Sequence, residues 1–238
     1  MPLLKRYHAA VARRRWSLLL ALLVISMLLE PAFGKANWVE TLTLCLLALT
    51  FIGTIQSANI ARPKQVAGNF LVALWFLTSM ADRFGLDTGS LLAVETAFLL
   101  GGTLWLVFDY LLRERAGNID SLMGAVFGYV LLALVWSVLY MHIENLRPGA
   151  FALRDAPAEH GQLVYFSLVT ITTLGYGDIL PVDPLARICA GFEAAVGTLY
   201  VAVLIGSIVG AFGNSASPRH TSTSRPASDP GASERQDP

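Results

Sequence analysis

Apolar residues in this chain run in long, almost uncharged blocks rather than in the short alternating patterns of a soluble domain. Residues 41–61, 121–141 and 194–217 contain no Asp, Glu, Lys or Arg. A helix of about 20 such residues crosses ~30 Å of hydrocarbon, and each block is long enough to do so. The pattern predicts six spans, over residues 16–33, 39–60, 66–84, 88–112, 119–143 and 184–212. Asp82 and Arg83 shorten the third, and Glu95 and Asp109 interrupt the fourth. Between the last two spans, residues 160–172 are apolar and aromatic at helical density. At ~1.5 Å per residue this helix reaches only ~18 Å and cannot cross a bilayer. It must enter and return, which a backbone tolerates only where protein or water satisfies it.

The fold expected is therefore an all-α integral membrane protein: six transmembrane helices, with a re-entrant helix and its following loop between the fifth and sixth. The expected organisation is a basic amino terminus (1–15), four membrane helices (16–112), a carboxyl-terminal pair of helices around the re-entrant segment (119–213) and a polar tail (214–238). The tail is rich in Ser, Pro and charge, a composition that favours disorder. Composition agrees with a membrane class, since 55% of residues are hydrophobic and 14% charged, against a usual ~25% charged. Net charge is zero, so bulk charge points to no nucleic-acid partner, and the surface partners expected are membrane lipids.

Charge distribution says more than its sum. On an alternating six-span topology one side collects twelve Lys and Arg residues, from Lys5 to Arg15, Arg62, Lys64, Arg113, Arg115 and the tail. The other side holds Lys35, Arg83, Arg147, Arg154 and Arg187. Short cytoplasmic loops carry the excess of positive charge, so both termini are expected inside, in a plasma or bacterial inner membrane. A different reading of the start takes residues 1–34 as a basic, then apolar, cleaved signal peptide, which leaves the remaining topology unchanged. Cys45 and Cys189 both lie in apolar blocks and read as reduced thiols. The four histidines are scattered and no local motif indicates an enzyme, a metal-bound cofactor or a nucleophile.

The chemistry concentrates in Thr173-Leu174-Gly175-Tyr176-Gly177-Asp178. A ring of backbone carbonyls can replace a cation's water shell while holding it loosely. Successive carbonyls face one way only when the backbone alternates in hand, which residues with a Cβ resist and Gly175 and Gly177 permit. Thr173 adds a hydroxyl at the inner end, and Asp178 a carboxylate at the outer mouth. Tyr176 is expected to point away from the axis and pack on Tyr165 and Phe166. The carboxyl end of the preceding helix turns its negative dipole toward the same point, favouring a cation.

Residues 165–181 closely resemble the pore helix and selectivity filter of the potassium-channel family, and the likeness continues through Arg187, Glu193, Gly197 and Gly210. The resemblance covers roughly residues 121–212; the first four spans match in number and topology alone. It implies potassium sites on the carbonyls of Thr173, Leu174, Gly175 and Tyr176, with Gly177 completing the filter and potassium as permeant ion rather than cofactor. It implies a potassium-selective channel, and one filter per chain then requires a homotetramer around a fourfold axis. Two departures stand out. Leu174 replaces the commoner Val or Ile, a change that bears on packing and selectivity. Val169 stands where some members carry a Glu that pairs with the mouth Asp, so Asp178 needs another partner. A weakly selective cation channel and a non-conducting regulatory subunit remain alternatives.

Six spans with a terminal pore raise the question of voltage sensing, which needs several cations in the fourth span. No Lys or Arg occurs between Arg83 and Arg113, so no conventional sensor is expected. Gly197 is a candidate hinge or, equally, a close-packing site. Leu204, Ile208 and Phe212 recur every four residues and are candidates for an apolar constriction. Glu193, an acid inside the membrane, is expected to brace the filter through Thr170 or Thr172, and Glu95 is a second such acid with no evident partner.

Overall fold

A computed structural model describes residues 14–58, 60–86, 88–113, 119–152, 160–206 and 210. Seven helices follow in order: α1 (Arg15–Phe33), α2 (Asn37–Ser57), α3 (Arg62–Arg83), α4 (Gly89–Arg113), α5 (Ile119–Leu146), the short α6 (His160–Ile171) and α7 (Pro184–Leu199). A π-helical turn, Tyr200–Ile205, continues α7. Two two-residue strands, β1 (Phe151–Ala152) and β2 (Leu180–Pro181), pair antiparallel with Ala152 opposite Leu180. The amino-terminal tail before residue 14, the polar tail and the candidate constriction residues Ile208 and Phe212 lie outside the described residues.

Five helices are long and apolar enough to cross a membrane: α1, α2, α4, α5, and α7 together with its π turn. The chain is a multi-pass membrane protein. The expected third span differs from the rest. It forms a helix of 22 residues, ample in length, but Arg62, Lys64, Gln65, Asn69, Ser79, Asp82 and Arg83 leave it less apolar than its neighbours. Its start follows from Pro63 in the first turn, where a missing N–H costs nothing.

α1 to α4 pack in sequence, α1 on α2, α2 on α3 and α3 on α4, and α2 also touches α4. α1 and α4 then lean on α5, which in turn carries α6. The joint between the two halves is aromatic. Trp16, fully buried at the start of α1, lies 4.9 Å from the ring of Tyr110 and 5.8 Å from that of Phe127. The Trp16 amide donates to Asp120 Oδ1 at 3.2 Å, so α5 satisfies an orphan donor of the first turn of α1. One core runs through this joint, from Leu19, Leu23 and Phe51 to Leu131, Ile171 and Tyr200.

A second core sits at the other end of α5. Tyr140, Ile143, Phe151, Leu163, Phe166 and Ala186 meet there. The rings of Tyr140, Phe151 and Phe166 stand edge to face at 5.1–5.4 Å, the arrangement that aromatic quadrupoles favour. Large apolar side chains such as Phe70, Phe98, Phe192 and Val203 are turned outward, 63–70% exposed. Outward apolar side chains of this size suit hydrocarbon or the apolar face of another membrane helix.

Candidate functional site: a short helix and the loop it carries

α6 is twelve residues long, as its apolar run predicts, and ends at Ile171. Its last turn continues directly into the candidate filter. The Thr172 amide donates to Leu168 O at 3.3 Å, that of Thr173 to Thr170 O at 2.9 Å and that of Leu174 to Val169 O at 2.9 Å. Helical carbonyls that would be orphaned at this end are thereby used to fix the loop. Thr173 and Gly175 both have φ of +57° and Gly177 +75°, while Leu174 and Tyr176 between them keep negative φ. Among the described residues Thr173 is the one non-glycine with positive φ. Left-handed backbone at a residue with a branched Cβ costs energy and persists where its surroundings impose it. Residues 172–178 are all exposed in the single chain, and a Cβ added at Gly175 or Gly177 would meet nothing within 4 Å.

Asp178 has the partner that the sequence did not identify. The Tyr165 hydroxyl of α6 donates to its Oδ2 at 2.7 Å, and the Ile179 amide donates to Oδ1 at 3.1 Å. Val169 is buried where a carboxylate was a family alternative, so a phenol takes over the role of tethering the mouth. In the single chain Tyr176 makes no ring contact with Phe166, while remaining within electrostatic reach of Tyr165. The Tyr176 side chain is 66% exposed, and Phe166 is already enclosed by Tyr140 and Phe151.

Beyond Asp178 the loop is anchored on the outer core. β2 pairs with β1, and the amides of Val182 and Asp183 donate to Ala150 O at 2.8 and 3.2 Å. Asp183 caps α7, accepting from the Leu185 amide at 2.8 Å, with Pro184 at the first helical position. Arg147, at the end of α5, binds the same carboxylate at 2.9 Å and holds it below the usual aspartate range. Glu144 takes the amides of Gly149 at 2.8 Å and Phe151 at 3.2 Å, closing the turn that leads into β1.

Behind the filter lies a buried polar knot. Glu193 of α7 is fully enclosed and accepts from Tyr140 Oη of α5 at 2.6 Å and from Ser167 Oγ of α6. Ser167 Oγ also lies 2.6 Å from Ala133 O. Three helices thus meet on one carboxyl group. The partners are not Thr170 or Thr172, as expected. Thr172 is at the exposed end of α6 and returns its hydroxyl to Leu168 O at 2.6 Å. Ser167 is one turn further back, on the face that looks toward Glu193. Tyr129 Oη donates to Ile171 O at 2.7 Å, capping α6, and Tyr200 Oη donates to Ala125 O at 2.7 Å.

Gly197 faces the same helix end. A Cβ there would be forced onto the carbonyl oxygen and Cγ1 of Ile171, so α7 passes α6 at backbone contact distance. Of the two readings of this glycine, the geometry displays close packing. Three residues on, the π turn supplies a local departure from the α-helical ladder, a feature often found where helices bend. Leu204 is buried in the chain's own core rather than presented to an open axis, which removes it from the expected constriction. Tyr129, Tyr140 and Ser167 carried no signal of their own in the sequence, and Tyr165 was expected against Tyr176 rather than Asp178. Tyr129 and Tyr140 are about three helical turns apart and share a face of α5, the one signal that marked them together.

Residues 125–214 match a family model described as an ion channel. Among curated relatives, the inward rectifier potassium channel Kirbac3.1 of Paramagnetospirillum magnetotacticum is 38% identical over 82 residues, 34% of this chain and 25% of that protein. The potassium voltage-gated channel protein shk-1 of Caenorhabditis elegans is 42% identical over 48 residues, 20% of this chain and 9% of that protein. The chain therefore spans a quarter or less of the length of these relatives. No solved structure matches the chain at a significant level. The family-model match begins within α5 and extends through α6, the loop after it, α7 and the π turn.

Proposed function

We propose, from the premise that the segment 125–214 belongs to the pore-loop potassium-channel family, that four copies of this chain form a passive potassium-selective pore. The observation that carries this reading is the strand of alternating hand at Thr173, Gly175 and Gly177, pinned to the end of α6 yet exposed along its length in one chain. Alternation of hand turns successive carbonyls to one side, which suits a row of ion sites at Thr173, Leu174, Gly175 and Tyr176. An exposed half-site has its use when symmetry supplies the rest, and a fourfold ring closes with one filter per subunit.

In this reading α6 is re-entrant, α3 crosses as the sixth span shielded by its neighbours, and both termini are cytoplasmic. Asp178 forms the outer carboxylate ring and acts with no cofactor beyond the permeant ion. Glu193 is a positioning residue, holding α6 against α5 and α7, Gly197 lets α7 pack closely on the end of α6, and the π turn beyond it is where α7 bends during gating. The fourth helix lacks a cation ladder, so opening is not steeply voltage-dependent.

Purified protein in liposomes, assayed with a potassium gradient and then a sodium gradient, tests this. Fast potassium flux with little sodium flux is expected. Comparable fluxes of the two ions would identify a weakly selective cation pore, the outcome to which Leu174 draws attention. No flux of either ion from correctly folded protein would sink the conducting reading.

A further inference from the structure

The four-helix half carries a cavity of about 540 Å³ at one end, where α1 and α3 begin and α2 and α4 finish. Three cations line it, Arg15, Lys64 and Arg113, against one carboxylate, Asp109. Arg113 pairs with Asp109 at 2.8 Å, one turn away on α4. The other two keep their charge toward the cavity. Lys64 is exposed and pairs with no carboxylate among the described residues. Arg15 donates to Ser57 O at 3.1 Å and stacks 5.0 Å from the centre of the Tyr110 ring, two neutral partners. Asp120 is within its electrostatic reach, but the Oδ1 of that carboxylate is engaged by the Trp16 amide at 3.2 Å.

Two of these cations have contacts that orient them. Arg15 is fixed by its carbonyl and ring contacts, and Arg113 by its helical pair. Gln56 and Gln65 add amide donors to the lining. Trp105, 58% exposed, and Leu106 form an apolar edge beside the charged one. Charged floor and aromatic rim together suit a molecule with an anionic head next to a greasy surface, the chemistry of the membrane interface.

We propose that this cavity is a binding site for a phosphate group, carried by an anionic phospholipid or free in solution. The phosphate would bridge Lys64 of α3 and Arg113 of α4 to Arg15 of α1. Because Arg15 adjoins Trp16, which seals the joint with α5, occupancy of the site bears directly on the contact between the two halves. The inference stands whether or not the pore conducts.

Titration of the full chain in neutral detergent with fluorescent phosphatidic acid tests it, with fluorescent phosphatidylcholine as control and inorganic phosphate as competitor. Saturable binding of phosphatidic acid alone is expected. Lys64→Gln and Arg113→Gln should each weaken it about fivefold, the effect of one interfacial cation. Arg62→Gln, at the same helix end but outside the lining, should leave the affinity unchanged. Displacement by inorganic phosphate would identify a free-phosphate site, and resistance to it a lipid site. The proposal is overturned if the Lys64→Gln/Arg113→Gln double variant binds like the parent, or if Arg62→Gln is as harmful as Lys64→Gln.

Discussion

Glu193 and Glu95 are both buried acids in apolar helices, one in each half of the molecule, and they are treated in opposite ways. Glu193 is 0% exposed and meets two hydroxyls, on two other helices. Glu95 is 4% exposed, with Oε1 3.4 Å from the Thr78 hydroxyl and Oε2 without a hydrogen-bond partner among the described residues. A buried polar group is tolerable when it is satisfied and expensive when it is not. The carboxyl-terminal half thus contains a fully satisfied acid, and the four-helix half a partly satisfied one among hydroxyls of Thr50, Thr54, Thr78 and Ser79 that also return to their own helices. Cross-helix polar ties occur in both halves, with Trp75 Nε1 to Thr96 Oγ1 at 2.9 Å and Arg83 to Thr41 Oγ1 at 2.7 Å in the four-helix half, but Glu193 draws three helices onto one carboxyl group.

The comparison is broken most directly at the closest approach in the pore half. Gly197→Val drives a branched side chain into the Ile171 carbonyl and should cost about 3 kcal/mol or more, seen as loss of the monodisperse protein in detergent. An unchanged melting temperature would mean that α6 and α7 are not in backbone contact. Tyr140→Phe keeps the ring stack and removes one donor to Glu193, for an expected cost of about 2 kcal/mol. A double-mutant cycle with Glu193→Gln should show strong coupling between the two; additive effects would argue against the knot. In the other half, Arg83→Gln deletes an exposed bridge to Glu40 at 3.2 Å and a bond to Thr41 Oγ1 at 2.7 Å. Its effect should stay below about 1 kcal/mol and shrink in high salt. Glu95→Leu should be close to neutral or stabilising in the same melting assay, because it removes a carboxyl oxygen that nothing satisfies. A loss as large as that at Tyr140 would reveal a partner for Glu95 and erase the contrast.

Acid sharpens the contrast further. Asp183 is held below its ordinary value by Arg147, so its contribution is complete above the unfolded aspartate value of about 4 and is lost as pH falls through the depressed one. Melting of the parent should drop in that acid window, and Arg147→Gln should flatten the drop. A parent and variant with identical acid profiles would show that the cap at the start of α7 does not depend on the pair.

Helices were legible wherever composition alone specifies them. The apolar runs anticipate α1, α2, α4, α5 and α6 to within a few residues and the start of α7, whose expected end lies outside the described residues, because a backbone in hydrocarbon must satisfy itself internally. The third span was expected over residues 66–84, shortened by Asp82 and Arg83; the segment forms the helix α3, but its polar side chains keep it out of the five helices apolar enough to cross. The alternating backbone of the loop after α6 was legible at Gly175 and Gly177, since few residues accept positive φ. Its tethers were not. Nothing local in the sequence joins Tyr165 to Asp178, or Tyr140 and Ser167 to Glu193, residues 53 and 26 positions apart in the latter two bonds.

What the sequence determined by itself is the class of the molecule and the location of its chemistry: apolar blocks long enough to span, one helix too short to do so, and a glycine-alternating loop after it. Those follow from solvent and backbone sterics, which act over a few residues at a time. Only the tertiary structure decided which acid is satisfied, which glycine marks a close approach and which phenol holds the mouth. Each depends on helices distant in the chain arriving at hydrogen-bond or van der Waals distance, and no local pattern carries that information.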